Sequence, residues 1–406
     1  MRTNSYLIPL IYIGAMFFTV GFTLGINSYL IPLLQTALKI SSGYSYLVLA
    51  ANFSAFLAFS YPATLVIKKV GYKRTMALSF LCFSIAFLLF IPSAFMKSFS
   101  LFLIASFISG TANAILQSAI NPYVTILGPI ESAARRMSLM GCCNALAWSI
   151  APIALTWMIG KPLQDVGLMD IKRPFALIAF FSIGMAIVML KSPLQEIKAT
   201  GEENIEDCPY AANKTSIWQF PHLILGGITL FLYVGVETVA DATTVDYANS
   251  LGLADPTHYS IYPSLGMVTG YIGGIVLIPK YLSQINALRI CSAIAIIGSL
   301  FVIFLPANIS IYCVYFISLG CSLMYPSIWP LALTDLGKFT KTGSAILVTS
   351  IVGGAVIPTL FGFLKDAYGN QHAYWICIPC FIAVMLYAFV GCKIRIKSQS
   401  YKIKNQ

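Results

Sequence analysis

SPLQEIKATGEENIEDCPYAANKTS, running from Ser192 to Ser216, is the stretch that decides the architecture of this chain. It is the one long polar segment in 406 residues, and it carries Glu196, Glu202, Glu203, Glu206 and Asp207. On either side the sequence is a succession of apolar runs of about 20 residues, the length a helix needs to cross the hydrocarbon layer of a bilayer. Six precede it, over approximately 6–34, 44–67, 75–95, 99–127, 137–160 and 174–191. Six follow, over approximately 221–249, 259–279, 286–305, 309–333, 342–364 and 372–392. A polar stretch between two equal sets reads as a linker between two bundles. The expected class is an all-α integral membrane protein with twelve transmembrane helices in two pseudo-symmetric six-helix bundles. The expected divisions are an N-terminal bundle over 1–191, a cytoplasmic linker over 192–217, a C-terminal bundle over 218–392 and a basic tail over 393–406.

Composition agrees. Only 10% of residues are charged and 58% are hydrophobic, with a mean hydropathy of +0.82; a soluble chain carries about 25% charged residues. The net charge of +11 would point to nucleic acid if it covered a soluble face, but the charges cluster at the ends of the apolar runs. With the N-terminus inside, the inner segments hold 19 of the 25 Lys and Arg residues and the outer segments 6. Basic residues favour the cytoplasmic side, so both termini are expected there. The bilayer, not nucleic acid, is the expected large partner, and the chain is expected to act as a monomer. The five basic residues of the tail read equally as an arm at the anionic leaflet or as a topology signal. The first apolar run is too long for a signal-peptide core. The ten cysteines mostly sit inside apolar runs, and Cys377-x-x-Cys380 is read as packing in a lipid-facing stretch rather than as a metal site.

A faint internal repeat supports two related halves. Asn121-Pro122 and Tyr325-Pro326 lie 204 residues apart, and Ala151-Pro152 and Ile357-Pro358 lie 206 apart. Half-chain repeats are the mark of transporters that rock one bundle against the other.

Polar groups at membrane depth are costly, so those present are functional candidates. Of the fourteen carboxylates, three lie in the seventh run: Glu237, Asp241 and Asp246. Glu237 is near the middle of its span, and Asp241, four residues on, shares its helical face. Asp246 lies near the outer mouth and is expected to be wetter. No lysine or arginine is at hand to neutralise Glu237 and Asp241, and two carboxylates one turn apart resist ionising together. Such a pair can take up H⁺ or hold Na⁺; it can also hydrogen-bond substrate or serve structure alone. In the fourth run, Asn113, Gln117 and Asn121 follow at i, i+4 and i+8, with Thr125 next. Three amides on one face offer donors and acceptors together, as sugar hydroxyls require, although amides also join membrane helices. Asn27, Asn52 and Asn144 are candidates for the same cavity. Trp148, Tyr325 and Trp329 are candidates to stack on a pyranose or shape a gate, or else to anchor at the interface. His222, His258 and His372 read as boundary residues. The sequence has no phosphate-cradling glycine loop, no H-E-x-x-H and no credible nucleophile–base pair, so no enzyme is expected. A cavity without Lys or Arg is a poor host for anionic substrates; neutral polyols fit better.

The residues themselves carry a resemblance. Gln117-Ser-Ala-Ile-Asn-Pro-Tyr-Val-Thr-Ile-Leu-Gly-Pro129 resembles the fourth-helix signature of the fucose–galactose–glucose:cation symporters of the major facilitator superfamily. Lys214-Thr-Ser-Ile-Trp-Gln-Phe-Pro-His222, Tyr233-Val-Gly-Val-Glu237 and Leu336-Gly-Lys-Phe-Thr-Lys-Thr-Gly-Ser-Ala345 are similar to its bacterial glucose/galactose branch. The resemblance implies the major facilitator fold, alternating access and uptake of a neutral hexose with H⁺ or Na⁺ across a bacterial inner membrane, without a resident cofactor. It also shows departures. Ser28 and Gln117 occupy positions where the fucose:proton symporter has an essential Asp and Glu, and Lys68 stands where the superfamily loop motif has a carboxylate. Gln117 then looks like a sugar contact, Asn27 and Asn144 match family polar positions, and Glu237 inherits coupling with Asp241 as helper. The alternatives are an uncoupled sugar facilitator or a multidrug or metabolite exporter on the same fold.

Overall fold

The computed structural model describes residues 7–127, 133–194, 209–212, 214–278 and 280–394. Among these residues there is no strand, as expected where backbone groups in lipid must be satisfied within their own segment. Eleven helical stretches among the described residues are long and apolar enough to cross a membrane. One of them, Leu47–Phe95, would run for about 70 Å if straight, more than two hydrocarbon thicknesses. It turns back at Gly71, whose φ of 83° and ψ of 171° leave the helix in a region that only glycine enters without strain. The break falls inside Lys68-Lys-Val-Gly-Tyr-Lys-Arg74, so the basic hairpin and the helix pair are one signal.

Split there, the spans number twelve. They are α1 (Leu7–Leu38), α2 (47–70), α3 (72–95), α4 (Phe99–Ile126), α5 (Ala133–Ile159) and α6 (Lys172–Lys191). The second six are α7 (Pro221–Ser250), α8 (Ile261–Leu277), α9 (Gln284–Phe304), α10, α11 and α12 (Cys377–Phe389). α10 comes in two pieces, Ala307–Cys321 and Met324–Leu333, and α11 likewise, Thr340–Ser350 and Gly353–Tyr368. The joints are tight turns whose backbone stays close to helical, and Ser322, Leu323 and Ile351 are buried in protein, where such breaks are tolerated at membrane depth. Of the expected linker, 195–208 lies outside the described residues, as do 395–406 of the tail.

Within the first six helices, α4 packs on the α2–α3 hairpin, α1 on α5, and α6 against α3 and the α2–α3 stretch. Within the second six, α10 lies against α8 and α9, α11 against α7, and α12 against α7 and α9. The two sets meet through α1 with α7, α5 with α8, and α2 with α11. The last two contacts are each other's equivalents if helix n of one half corresponds to helix n+6 of the other, which is the pseudo-symmetry anticipated from the proline pairs. Small residues let the backbones touch, as in membrane helices generally. A Cβ at Gly21 of α1 would lie 2.0 Å from the Asn144 carbonyl oxygen of α5. Large apolar side chains such as Leu57, Phe180, Val276 and Phe304 are well exposed on the outside of the bundles, which in a chain of this kind is the face offered to lipid.

Two expectations change, for the cysteine pair and for Asp246, and the structure adds a partner for the boundary residue His222. Cys377 and Cys380 are buried inside the second bundle rather than facing lipid; they pack as small apolar groups. His222 is fully buried, with Nε2 2.9 Å from the Thr334 carbonyl, so it joins α7 to the end of α10. Asp246 is not wet: it is 1% exposed and paired, because α11 delivers Lys365 to it.

Candidate functional site

A cavity lies between the bundles near the middle of the spans. From the first six helices it is lined by Phe17, Val20 and Leu24 of α1, Phe53 of α2, Gln117 and Asn121 of α4, and Met137, Gly141, Asn144 and Trp148 of α5. From the second six come Val234, Glu237, Thr238 and Asp241 of α7, Tyr271 of α8, Tyr325 and Pro326 of α10, and Ile351 at the α11 joint. Among the described residues no lysine or arginine reaches it. Its polar chemistry is therefore amides on one wall and carboxylates on the other.

Each polar group is held by its helix. Gln117 and Asn121 share a face of α4 because they are one turn apart; Asn121 Nδ2 donates to Tyr325 Oη across the bundle boundary at 3.0 Å. Asn144 Nδ2 donates to the Phe17 carbonyl at 3.2 Å, which ties α5 to α1 and leaves its oxygen for other partners. Trp148 Nε1 donates to Ser28 Oγ at 3.0 Å, which ties the indole of α5 to α1. The Tyr325 ring lies 5.4 Å from that of Trp329, nearly parallel at 23°. Glu237 Oε1 accepts from Tyr233 Oη at 2.6 Å, whereas the Asp241 carboxylate has no hydrogen-bond partner among the described residues although it is only 8% exposed. A buried carboxylate without a partner is costly, and one lining a cavity is open to a ligand.

The remaining candidates from the sequence lie elsewhere. Asn113 Oδ1 accepts from Thr23 of α1 at 3.3 Å, and Asn52 Nδ2 donates to the Ser106 carbonyl of α4 at 3.2 Å. Asn27 Nδ2 donates to the Leu24 carbonyl of its own helix at 3.2 Å. Trp329 stands behind Tyr325, fully buried and off the cavity wall. The amide stripe of α4 thus divides: the outer amide, Asn113, joins helices within its bundle, while Gln117 and Asn121 face the cavity. The apolar and aromatic lining residues, Tyr271 above all, had no polar signature to mark them. Tyr271 fits against α5 only because residue 141 is glycine, since a Cβ there would lie 2.4 Å from its ring.

The end of the cavity opposite the basic hairpin is shut. Tyr46 Oη, just before α2, donates to Asp246 Oδ2 of α7 at 2.8 Å, and Lys365 Nζ of α11 donates to the same oxygen at 2.6 Å. The Ser42 and Gly43 amides donate to the two oxygens of Asp366 at 3.1 and 2.8 Å. Thr156 of α5 and Thr257 before α8 lie 3.4 Å apart. These contacts close that end of the cavity, the outer mouth in the orientation expected from the basic residues.

Twelve helices in two pseudo-symmetric sets, with a polar cavity at their meeting surface, define a membrane carrier of the alternating-access kind. The chain belongs to the Major Facilitator Superfamily, whose family model matches residues 13–351. It is 32% identical to the glucose/galactose transporter of Brucella abortus biovar 1 (strain 9-941), over 96% of this chain and 95% of the relative. It is 24% identical to the L-fucose-proton symporter of Escherichia coli (strain K12), over 95% of this chain and 94% of that protein. These relatives place it with the fucose–galactose–glucose:cation symporters. Its fold matches the crystal structure of the transporter FucP in the outward conformation, with a TM-score of 0.73 and 23% identity over 95% of this chain and 99% of that one.

Proposed function

We propose that this protein takes up a neutral hexose of the glucose or galactose type by alternating access, with H⁺ or Na⁺ bound at Glu237 and Asp241. The observation that supports the reading best is the make-up of the cavity: amides from one bundle face carboxylates from the other, with no fixed positive charge between them. Sugar hydroxyls both donate and accept, and Gln117, Asn121 and Asn144 supply both functions. Trp148 and Tyr325 offer apolar faces to the C–H side of a pyranose. A cation arriving at Glu237 and Asp241 offsets negative charge that no lysine or arginine of the lining compensates, which lowers the cost of closing the site away from water. With the outer mouth shut as described, release follows when the bundles part on the inner side, the Asn121–Tyr325 bond breaking as they do. Sugar and cation cross together because each makes the closed, loaded state cheaper. The protein acts as a monomer in the bacterial inner membrane with both termini cytoplasmic.

The test is counterflow of labelled glucose and galactose in proteoliposomes, followed by net uptake under imposed H⁺ and Na⁺ gradients. Counterflow with concentrative uptake under one gradient is expected. Equal sugar on both sides under every gradient would make the protein a facilitator, and an absence of counterflow with any hexose would overturn the sugar reading.

A further inference from the structure

Beside the cavity stands a tyrosine that does not line it. Tyr233 is fully buried one turn before Glu237 on α7, and its phenol donates to Glu237 Oε1 at 2.6 Å. Its ring also lies 6.4 Å from that of Tyr325 on α10. Tyr325 in turn is stacked on Trp329 and accepts the cross-bundle hydrogen bond from Asn121. From the first bundle to the carboxylate the contacts therefore run Asn121, Tyr325, Tyr233, Glu237.

We infer that Tyr233 is the positioning residue that ties the loading of Glu237 to closure of the two bundles, an inference that rests on the coupled-uptake reading above. The physical reason is steric and directional. A phenol can donate only one hydrogen bond. While that bond goes to Oε1, the Glu237 carboxylate keeps one rotamer, and Oε2 is the oxygen left for a proton or a metal cation. The Tyr233 ring is confined between its own helix and the Tyr325 ring. When the Asn121–Tyr325 bond is made, Tyr325 is held from across the boundary, and Tyr233 has less room to swing its hydroxyl away. When the bundles separate there, Tyr325 is released, Tyr233 gains freedom and the carboxylate loses its fixed orientation. The site is thus organised for the cation while the bundles are together and disorganised as they part. A charge-assisted hydrogen bond on a buried group is strong enough to bias such an equilibrium, and its removal from one helix alone leaves the packing intact.

The experiment uses the full chain in proteoliposomes with labelled glucose, comparing wild type, Tyr233→Phe, Glu237→Gln and the double variant. Phenylalanine keeps the ring and its contact with Tyr325 and deletes only the donor. The expected result is that Tyr233→Phe holds counterflow within about twofold of wild type while its gradient-driven accumulation ratio falls at least about fivefold. Adding Tyr233→Phe to Glu237→Gln should change nothing further, since the two act as a unit. If Glu237→Gln abolishes accumulation and Tyr233→Phe accumulates like wild type, the positioning role is wrong and the coupled reading stands. If counterflow and accumulation fall in parallel in Tyr233→Phe, the tyrosine serves structure alone and the inference is overturned. If Glu237→Gln itself accumulates sugar normally, the coupled reading fails and takes this inference with it.

Discussion

Replacing Tyr46 by phenylalanine should loosen the outer mouth without disturbing anything else. The Tyr46 ring is fully buried, edge-on to Phe361 with centroids 6.1 Å apart at 61°, and that contact survives the loss of the hydroxyl. What disappears is one bond, from Oη to Asp246 Oδ2 at 2.8 Å. Among the described residues only that bond crosses between bundles at Asp246, because its other partner, Lys365, belongs to the same bundle and stays with it when the mouth opens. A hydrogen bond to a charged group contributes about 1.5–3 kcal/mol, and the ammonium that remains beside Asp246 keeps the carboxylate from being stranded, so the lower half of that range applies. At about 1.4 kcal/mol per tenfold, the open fraction at the outer side should rise by roughly 10-fold, and at most about 40-fold. Hydrogen exchange of peptides covering 42–46 and 361–366 reads this directly, since amide exchange through a local opening scales with the open population. The same variant should lower the external sugar concentration needed for half-maximal counterflow, because apparent affinity scales with the competent fraction. Protection changed by less than about twofold in both peptides, in a variant that binds sugar normally, would refute the assignment of Tyr46 and Asp246 as the outer closure.

Other expectations concern the cavity and the packing. Gln117→Ala should raise the half-saturating glucose concentration about tenfold, the loss of one or two neutral hydrogen bonds, while leaving the accumulation ratio at saturating sugar near wild type; a lost gradient response instead would move Gln117 into coupling. Gly21→Ala should lower thermal stability by about 1–3 kcal/mol, since the added methyl meets the Asn144 carbonyl at 2.0 Å. Gly184→Ala, with nothing within 4 Å of its Cβ, should be neutral or stabilising by about 0.5–1 kcal/mol. A melting series on both glycine variants checks this pair. Ser28→Ala should cost about 1–3 kcal/mol by leaving the Trp148 indole N–H unsatisfied, and Ser28→Thr should restore it, as read by melting temperature and Trp148 fluorescence.

The course of the chain through the bilayer was legible in the sequence because its cause is local. A run of about 20 apolar residues can satisfy its backbone in lipid only as a helix. Even the place where α2 turns into α3 was marked, since glycine among four basic residues is both a helix breaker and a loop signal. The two halves showed through the polar segment after Lys191 and through spaced proline pairs, features that need no knowledge of contacts.

What the tertiary structure alone decided is the direction in which each polar side chain points across the bundle. Asn113 and Gln117 are one helical turn apart, and nothing in the sequence says that Thr23 takes the first while the cavity keeps the second. Asp246 and Lys365 are 119 residues apart; their pairing depends on α7 and α11 lying side by side, which composition and periodicity cannot report. Tyr271 looked like any other aromatic residue of an apolar run until the packing of α8 on α5 set it in the cavity wall, whereas Tyr233 reaches Glu237 within its own helix, four residues on. Periodicity assigns a residue to a face of its own helix; which neighbour that face meets is set by long-range packing, and that packing divides the amides between joining helices and lining the cavity.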